Sequence, residues 1–354
     1  MKPYVEICTN KVLQNWAAVK ALGDAHGISV SVVTKGLTGY GPLVRALAAG
    51  GVASFCESRV QALQQSADLD VEKWMIRLPL PSEVADVVHF CDISLNTEIV
   101  TVQALGDAAV KQGRTHRVVV MIELGETREG VMPDDLVAIC RQVVATPGVE
   151  LHGLGTAFGC YSDIVPSTQN MATLAQCVDG VQNQLGIELP VVSGGSSSSL
   201  LMLEAGLLPT QVNHLRVGDA ILTGTIPNFN KPLPGGALYP FTLSAEIVEI
   251  KTKPSRPTGD RAPDEVAMEF DPAFADRGLR RRALVGVGRQ DVDFHNLRPI
   301  DDGVDLLGGS SDVLVVDLTD CPTDYQVGDQ MRFSMGYFAI VPAMVSDFVD
   351  KRLV

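Results

Sequence analysis

What this chain lacks narrows it first. Its seven cysteines (Cys8, Cys56, Cys91, Cys140, Cys160, Cys177 and Cys321) are odd in number and never stand in a C-x-x-C spacing. That scatter argues against a disulfide framework or a thiolate zinc site and suits free thiols in a reducing compartment. The opening MKPYVEICTNKVLQNW has no unbroken apolar core of the kind a secretory leader needs, and no run approaches a membrane span in length. The expected location is cytoplasmic. Basic charge is also in short supply: a net charge of -14 with a pI near 4.8 repels phosphate backbones. Only Arg280, Arg281 and Arg282 form a compact basic stretch. Three arginines opening an apolar run read more simply as a solvated strand entrance or an ion-pair cluster than as a nucleic-acid contact.

What is present is an ordinary globular composition, 46% hydrophobic and 20% charged over 354 residues. From about residue 28 to 225, short apolar strands alternate with amphipathic helices. The predicted strands are Ile28–Thr34, Val52–Phe55, Trp74–Leu78, Ile93–Leu95, Arg117–Leu124, Glu150–Leu154, Leu189–Val192 and Asn213–Arg216. Eight β/α units in roughly 200 residues predict a closed (β/α)8 TIM barrel rather than an open doubly wound sheet. After Gly224 the texture changes: IPNFNKPLPGGALYP carries four prolines, and strands with turn punctuation follow. The expected division is an α/β barrel over 1–232 and a C-terminal all-β domain over 233–354. Residues 1–9, with the alternating YVEIC, are open to either.

Active sites of such barrels are built at the C-terminal ends of the strands, often with a phosphate site after the last two. Strand one ends at Lys35, strand five leads into Arg128, strand six into Thr156, strand seven into SGGSSSS, and strand eight ends at Arg216 with Gly218 behind it. The glycines and serines of VVSGGSSSSL offer backbone N–H groups and hydroxyls to a phosphate. RVGDAIL supplies a second glycine turn beside it. A lysine in that setting fits an imine with pyridoxal phosphate, which serves as an electron sink for a carbanion at a substrate's α carbon. Arg216 falls near Lys35 because the eighth strand adjoins the first once the barrel closes.

The ordered set YVEICTNKVLQNWAAVKAL, VVTKG, ELGETREG, GLGTAFGCYSDIVPSTQNM, VSGGSSSSL, NHLRVGDAILTG, EIVEIKTKPSRPTGD, RRRALVGVGRQDVD and LLGGSSDVLVVDLTD spans nearly the whole chain. It resembles the alanine/ornithine racemase family of fold-type III pyridoxal-phosphate enzymes, closest to the ornithine racemase branch. The resemblance implies a cofactor-binding barrel with a C-terminal β domain, paired head to tail as a homodimer whose sites are completed by the partner. It implies that Lys35 is the Schiff-base lysine and that Arg216 bonds the pyridine nitrogen. Ser196 or Ser197 and the backbone around Gly218, with Thr156, would hold the cofactor. Arg128 falls where an arginine approaches the substrate carboxylate, and Asp312 where the family reads Met-Asp before an apolar strand.

Departures from the pattern stand beside it. The family's second base, a tyrosine of the β domain, is replaced by Arg289 in VGRQDV, and the histidine behind the pyridine-side arginine by Ala157. Tyr40 stands five residues after Lys35, where the family's phosphate tyrosine stands four after. Two-base racemisation needs a proton carrier on each face of the planar intermediate. The candidates for the second face are Tyr337, Tyr161 and Asp291. Asp291 and Asp293 alternate with Val292, which predicts a strand presenting both acids on one face to the distal ammonium of a diamino acid. The expected activity is amino acid racemisation, with ornithine or a related diamino acid as substrate. The alternatives are a cofactor carrier without turnover and a fold-III decarboxylase. The metal-assisted aldolases of this fold need a His-x-Cys set, and the β domain offers only His295 and Cys321.

Overall fold

The computed structural model describes residues 2–260 and 276–354, which form two compact units: 10–238, and 2–9 together with 239–354. The chain opens with β1 (Tyr4–Ile7) of the second unit and then enters α1 (Thr9–Ala25). In the first unit, β2 (Ser29–Val33), β3 (Ser54–Glu57), β4 (Glu72–Met75), β5 (Ile93–Asn96), β6 (His116–Met121), β7 (Val149–Gly155), β8 (Val191–Ser193) and β9 (His214–Val217) close a parallel barrel. The ring closes where Ser29 to Val32 pair with His214 to Val217. These are the eight strands predicted, with ends displaced by at most three residues. Helices α2 (Gly41–Ala49), α3 (Val60–Gln64), α4 (Val84–Phe90), α5 (Ile99–Lys111), α6 (Leu136–Val144), α7 (Thr168–Leu185), α8 (Leu200–Glu204) and α9 (Asp219–Thr223) follow the strands in turn.

Local chemistry explains these elements. A parallel barrel strand is covered on both faces, so β6 is apolar from Val118 to Met121 and buried along nearly its whole length. Helix α7 starts at a capping box: the Asn170 N–H donates to Ser167 Oγ at 3.3 Å, and the Ser167 N–H to Asn170 Oδ1 at 2.8 Å. It buries Met171, Leu174, Val178 and Val181 along one face and stops at Gly186, whose φ of 66° is left-handed. A short hairpin, β10 (Thr225–Ile226) with β11 (Lys231–Pro232), ends the unit.

The second unit is a sheet of β12 (Phe241–Pro254), β13 (Leu279–Val285), β14 (Leu297–Pro299), β15 (Asp305–Gly309), β16 (Leu314–Asp317) and β17 (Gln330–Met335), ordered β14-β17-β12-β13-β16-β15. The segment YVEI, as β1, joins it antiparallel to β12, and β18 (Asp350–Leu353), which follows α10 (Tyr337–Val345), runs parallel to β1. The long β12 bends at a bulge between Ile247 and Glu249; its first part pairs with β1 and β17, its last with β13. The arginine stretch is tied up within the sheet. Arg280 bonds Asp317 at 2.7 Å and also pairs with Asp320, Arg281 meets Asp324 at 3.1 Å, and Arg282 donates to the Ser255 carbonyl at 2.6 Å.

One expectation is corrected here. Asp291 and Asp293 do not alternate on a strand: the Asp291 N–H donates to the Gly288 carbonyl at 3.0 Å and closes a turn, while Asp293 caps the following 3-10 turn through the His295 N–H. Period-two spacing over three residues fits a turn as well as a strand, and the close approach of two loops at Gly288 decides for the turn. Among the described residues, no helix is long and apolar enough to cross a membrane.

The barrel interior pairs an apolar layer of Val33, Cys56, Trp74, Ile93, Leu95, Val119 and Met121 with a buried polar chain. Ser31 Oγ contacts Ser54 Oγ at 2.6 Å and His214 Nε2 at 2.8 Å; His214 Nδ1 meets Ser193 Oγ at 3.0 Å, and the ring stacks on Trp74 at 4.6 Å. Burial, aided by the Arg216 charge, pushes the His214 pKa down to about 3. A histidine depressed in the folded state is neutral there while the unfolded chain takes up protons below about 6.5, so its contribution is lost as pH falls through that window. The stability deficit of His214→Gln should therefore shrink by about 2 kcal/mol between pH 6.5 and pH 4.5. Urea unfolding at the two pH values checks this; a deficit independent of pH contradicts it.

Candidate active site

Lys35 is placed by a strand that ends abruptly. The β2 ladder runs one residue past Val33, where the Thr34 N–H donates to the Cys56 carbonyl at 2.9 Å, and the chain then folds into a 3-10 turn over Lys35–Leu37. Leu37 is fully buried and anchors the turn, which Thr38 leaves in a left-handed conformation with φ 50°. Its side chain half-buried, Lys35 is held at the C-terminal mouth of the barrel. Tyr40 caps α2 just beyond.

Arg216 stands on β9, in register with Ser31 of β2. It is buried, donates from Nη1 to Ser193 Oγ at 2.6 Å and from Nη2 to the Thr156 carbonyl at 2.7 Å, and burial lowers its pKa. Room for it depends on Gly155: a Cβ there would stand 3.3 Å from Nη1 and 3.2 Å from the Met121 sulfur. Ala157 packs in the apolar layer, so the arginine is held instead by Ser193, which opens the SGGSSSS stretch, and by the Thr156 carbonyl.

The ends of β8 and β9 converge on one hydroxyl. Ser197 Oγ accepts from the Gly218 N–H at 3.3 Å and the Ala220 N–H at 3.2 Å, whereas Ser196 Oγ meets Ser198 Oγ at 3.2 Å. Gly195, with φ 110°, has no space for a side chain; a Cβ would lie 2.6 Å from Ser199 Oγ. Both N–H groups, at the junction of β9 and α9, are thus tied to the Ser197 hydroxyl. Thr156 closes the neighbouring strand end, its hydroxyl donating to the Ile122 carbonyl at 3.1 Å.

Arg128 lies in the loop after β6 and pairs with the Glu129 carboxylate. Tyr161, highly exposed, sits on the loop after β7. The two loops are knitted by Glu126, a buried acid absent from the predicted set. It accepts from the N–H groups of Gly159 at 2.9 Å, Cys160 at 2.7 Å and Tyr161 at 2.5 Å, and from the Ser162 hydroxyl at 3.3 Å. Its place in GETREG gives no warning, because an acid among loop residues looks solvated.

The remaining candidates lie in the sheet unit. The Arg289 and Gln290 N–H groups donate to the Ser310 and Ser311 carbonyls, each at 2.9 Å, which sets Arg289 beside the turn of Asp312. Arg289 Nε donates to the Gly309 carbonyl at 3.0 Å, its guanidinium lies 4.7 Å from the Phe294 ring centre, and Asp312 accepts from Ser310 Oγ at 2.8 Å. Asp291 accepts from Ser346 Oγ at 2.6 Å. Tyr337 opens α10 with its ring edge-on to Phe338.

Two more acids, unpredicted, sit at strand ends of the barrel. Glu57 ends β3, is 3% exposed, accepts from the Ser58 N–H at 3.0 Å on Oε2, and has no hydrogen-bond partner on Oε1. Burial pushes its pKa up to about 7. Asp219, first residue of α9, accepts from Thr223 Oγ1 at 3.0 Å, and burial raises it to about 6. Their only sequence signal is position, two or three residues beyond a predicted apolar strand.

With this geometry in place, the similarity to known proteins has structural meaning. The family model "Alanine racemase, N-terminal domain" matches residues 7–226. An ornithine racemase from Acetoanaerobium sticklandii is 36% identical over 354 residues, all of both chains. A lysine racemase from Thermotoga maritima is 33% identical over 352 residues, 99% of this chain and 98% of that one. The structure of alanine racemase from Clostridium difficile superimposes with a TM-score of 0.76 over 100% of this chain and 96% of that one, at 18% identity.

Proposed function

The chain belongs to the alanine racemase family and is an amino acid racemase, and from that premise we propose that it interconverts the L and D forms of ornithine or a related diamino acid with pyridoxal 5'-phosphate as cofactor. The observation that carries this is one amine, Lys35, delivered to the mouth of a closed barrel one strand from the buried Arg216, in a chain matched end to end by two racemases named for diamino acids.

The residues fit such a cofactor. The Gly218 and Ala220 N–H groups, with the Ser197 hydroxyl that accepts from them, are donors of the kind that would hold a phosphate, Arg216 would bond a ring nitrogen, and Lys35 would supply an amine for the aldehyde. Bound there, pyridoxal phosphate would supply an electron sink for negative charge at the α carbon. The rest falls to the chain. Lys35 takes the α proton on one face or returns it there. Arg216, held by Ser193 and Thr156, would offer the ring an N–H rather than an acid, which would disfavour side reactions that need a protonated nitrogen. Arg128, with Glu129 beside it, would meet the substrate carboxylate. For the opposite face we assign Tyr337 or Asp291 as proton carrier, with Tyr161 as the barrel-side choice. Two copies pairing head to tail would let these sheet-unit groups, with Arg289 and Asp312, complete the neighbour's site. The free thiols accord with a cytoplasmic location.

The test is α-proton exchange in deuterated water, followed by NMR, for single enantiomers of ornithine, lysine, alanine and serine. Exchange with inversion, fastest for ornithine or lysine by roughly tenfold or more, is the expected result. Exchange with retention would leave one face without a working carrier. Absence of exchange across the panel, despite bound cofactor, would favour a carrier.

A further inference from the structure

Arg216 is a buried cation with, among the described residues, no carboxylate within ion-pair reach. A line of neutral groups leads from it down into the barrel instead. Nη1 donates to Ser193 Oγ at 2.6 Å, Ser193 Oγ lies 3.0 Å from His214 Nδ1, His214 Nε2 lies 2.8 Å from Ser31 Oγ, and Ser31 Oγ lies 2.6 Å from Ser54 Oγ. Ser193, His214 and Ser31 are all buried. The direction of these bonds follows from counting donors. A guanidinium only donates, so Ser193 Oγ accepts from it. Among the described residues the Ser193 hydroxyl meets one other group, His214 Nδ1. Were Nδ1 protonated, it too would donate to that oxygen, and the Ser193 proton would be buried without an acceptor, a costly arrangement. Nδ1 therefore accepts. The imidazole proton then stands on Nε2 and is given to Ser31, whose own proton is left for Ser54 Oγ. Burial keeps the ring neutral, and its stack on Trp74, 4.6 Å between centres with planes 7° apart, fixes its plane.

We propose that Ser193 and His214 are positioning residues for Arg216, links in a hydrogen-bond chain that runs in one direction from the guanidinium through Ser193, His214 and Ser31 to Ser54. Each link turns its lone pair toward the cation and its proton away from it. Dipoles so aligned solvate the buried charge, and successive bonds polarise one another. The Thr156 carbonyl pins Nη2 separately at 2.7 Å. Held at two nitrogens, the planar fork cannot turn about its Nε–Cζ bond, and the N–H groups not spent on these bonds keep a fixed aim. For its effect on the rate, this rests on Arg216 being the ring-side donor of the proposed racemase. The direction of the chain and the grip on Arg216 concern only groups of this chain.

The experiment is NMR of the full chain freed of cofactor and isotopically labelled at the histidine and arginine nitrogens. His214 should be neutral with its proton on Nε2, and the two Nη nitrogens of Arg216 should give separate signals because the guanidinium does not turn. Ser193→Ala removes the first link; His214→Phe keeps a ring against Trp74 and removes both nitrogens. Each should speed the guanidinium rotation by roughly tenfold or more and merge the Nη signals. His116, bonded to Ser94 Oγ at 2.8 Å, is the internal reference, its signals unmoved where the barrel is intact. One variant that fails to fold leaves the other to decide. With pyridoxal phosphate and substrate supplied, the same variants should lose kcat by roughly tenfold or more while KM stays within about twofold, as expected of groups that do not touch the substrate. A proton on His214 Nδ1 or on both nitrogens, an unchanged rotation, or an unchanged kcat in a folded variant overturns the inference. Failure of the racemase reading is distinct: the unaltered chain would show no racemisation, and the two measurements made without cofactor would still decide the chain and its grip.

Discussion

Lys35→Ala, supplied with pyridoxal phosphate, should lose α-proton exchange in both stereochemical directions by a factor of roughly 10³ or more, and borohydride should leave no cofactor on the protein. The proposed function gives this one amine two roles, so on that reading their loss is not shared out. Lys73, which lies on barrel strand β4, cannot stand in for it, because its ammonium donates to the Leu69 and Val71 carbonyls at 2.7 and 3.1 Å. The substitution should leave the barrel standing, since the turn at 35–37 is anchored by Leu37 and the Thr34 ladder bond rather than by the lysine side chain. If Lys35→Ala exchanged α protons at even a tenth of the normal rate in one direction, the proton on that face would have to travel through another group. If it lost one direction only, Lys35 would serve a single face and the opposite carrier would be working alone, a result that would bring Tyr337 and Asp291 forward for the same measurement.

Much of this site is legible in the amino-acid sequence, for a physical reason. Lys35 and Arg216 are charges at the ends of short apolar strands, and a charge there has to be either solvated or used. The barrel itself is legible because covered parallel strands read as brief apolar runs between amphipathic helices. Its strand ends are less so: Trp74–Leu78 is predicted, but β4 stops at Met75, and Arg77 turns away to bond the Ser58 carbonyl at 2.8 Å and pair with Glu83. Glu126 and Ser193 are illegible for a different reason. Their partners lie 33 to 36 residues away for Glu126 and 21 to 23 for Ser193, so burial arises only when separate loops meet at the barrel mouth. Asp291 shows the limit of periodicity, since three alternating residues cannot tell a strand from the turn that Gly288 closes. The second proton carrier is harder still. Its identity turns on which side chain faces Lys35 across space, and no local pattern encodes that.

Arg216→Met should separate function from stability more sharply than any other change. Among the described residues, Arg216 has no carboxylate within ion-pair reach; its bonds go to a serine hydroxyl and a carbonyl. Burying a cation against neutral oxygens alone is costly, and exchanging such a group for an apolar one of similar length is commonly neutral or stabilising. What the exchange gives up is small by comparison: Ser193 keeps its contact with His214 at 3.0 Å, and the Thr156 carbonyl is left the one clear loser. The cofactor-free variant should therefore melt no lower than the unaltered chain, while racemisation falls by roughly 10² or more because the ring-side N–H is gone. Differential scanning calorimetry without cofactor, beside the exchange assay with it, checks both halves. A lower melting temperature with activity intact would mean that the fold needs the guanidinium and the chemistry does not, which would overturn the role given to Arg216. Loss of both would mean that the buried polar chain from Ser31 through His214 to Ser193 depends on the arginine charge, making the site and the barrel core one cooperative unit.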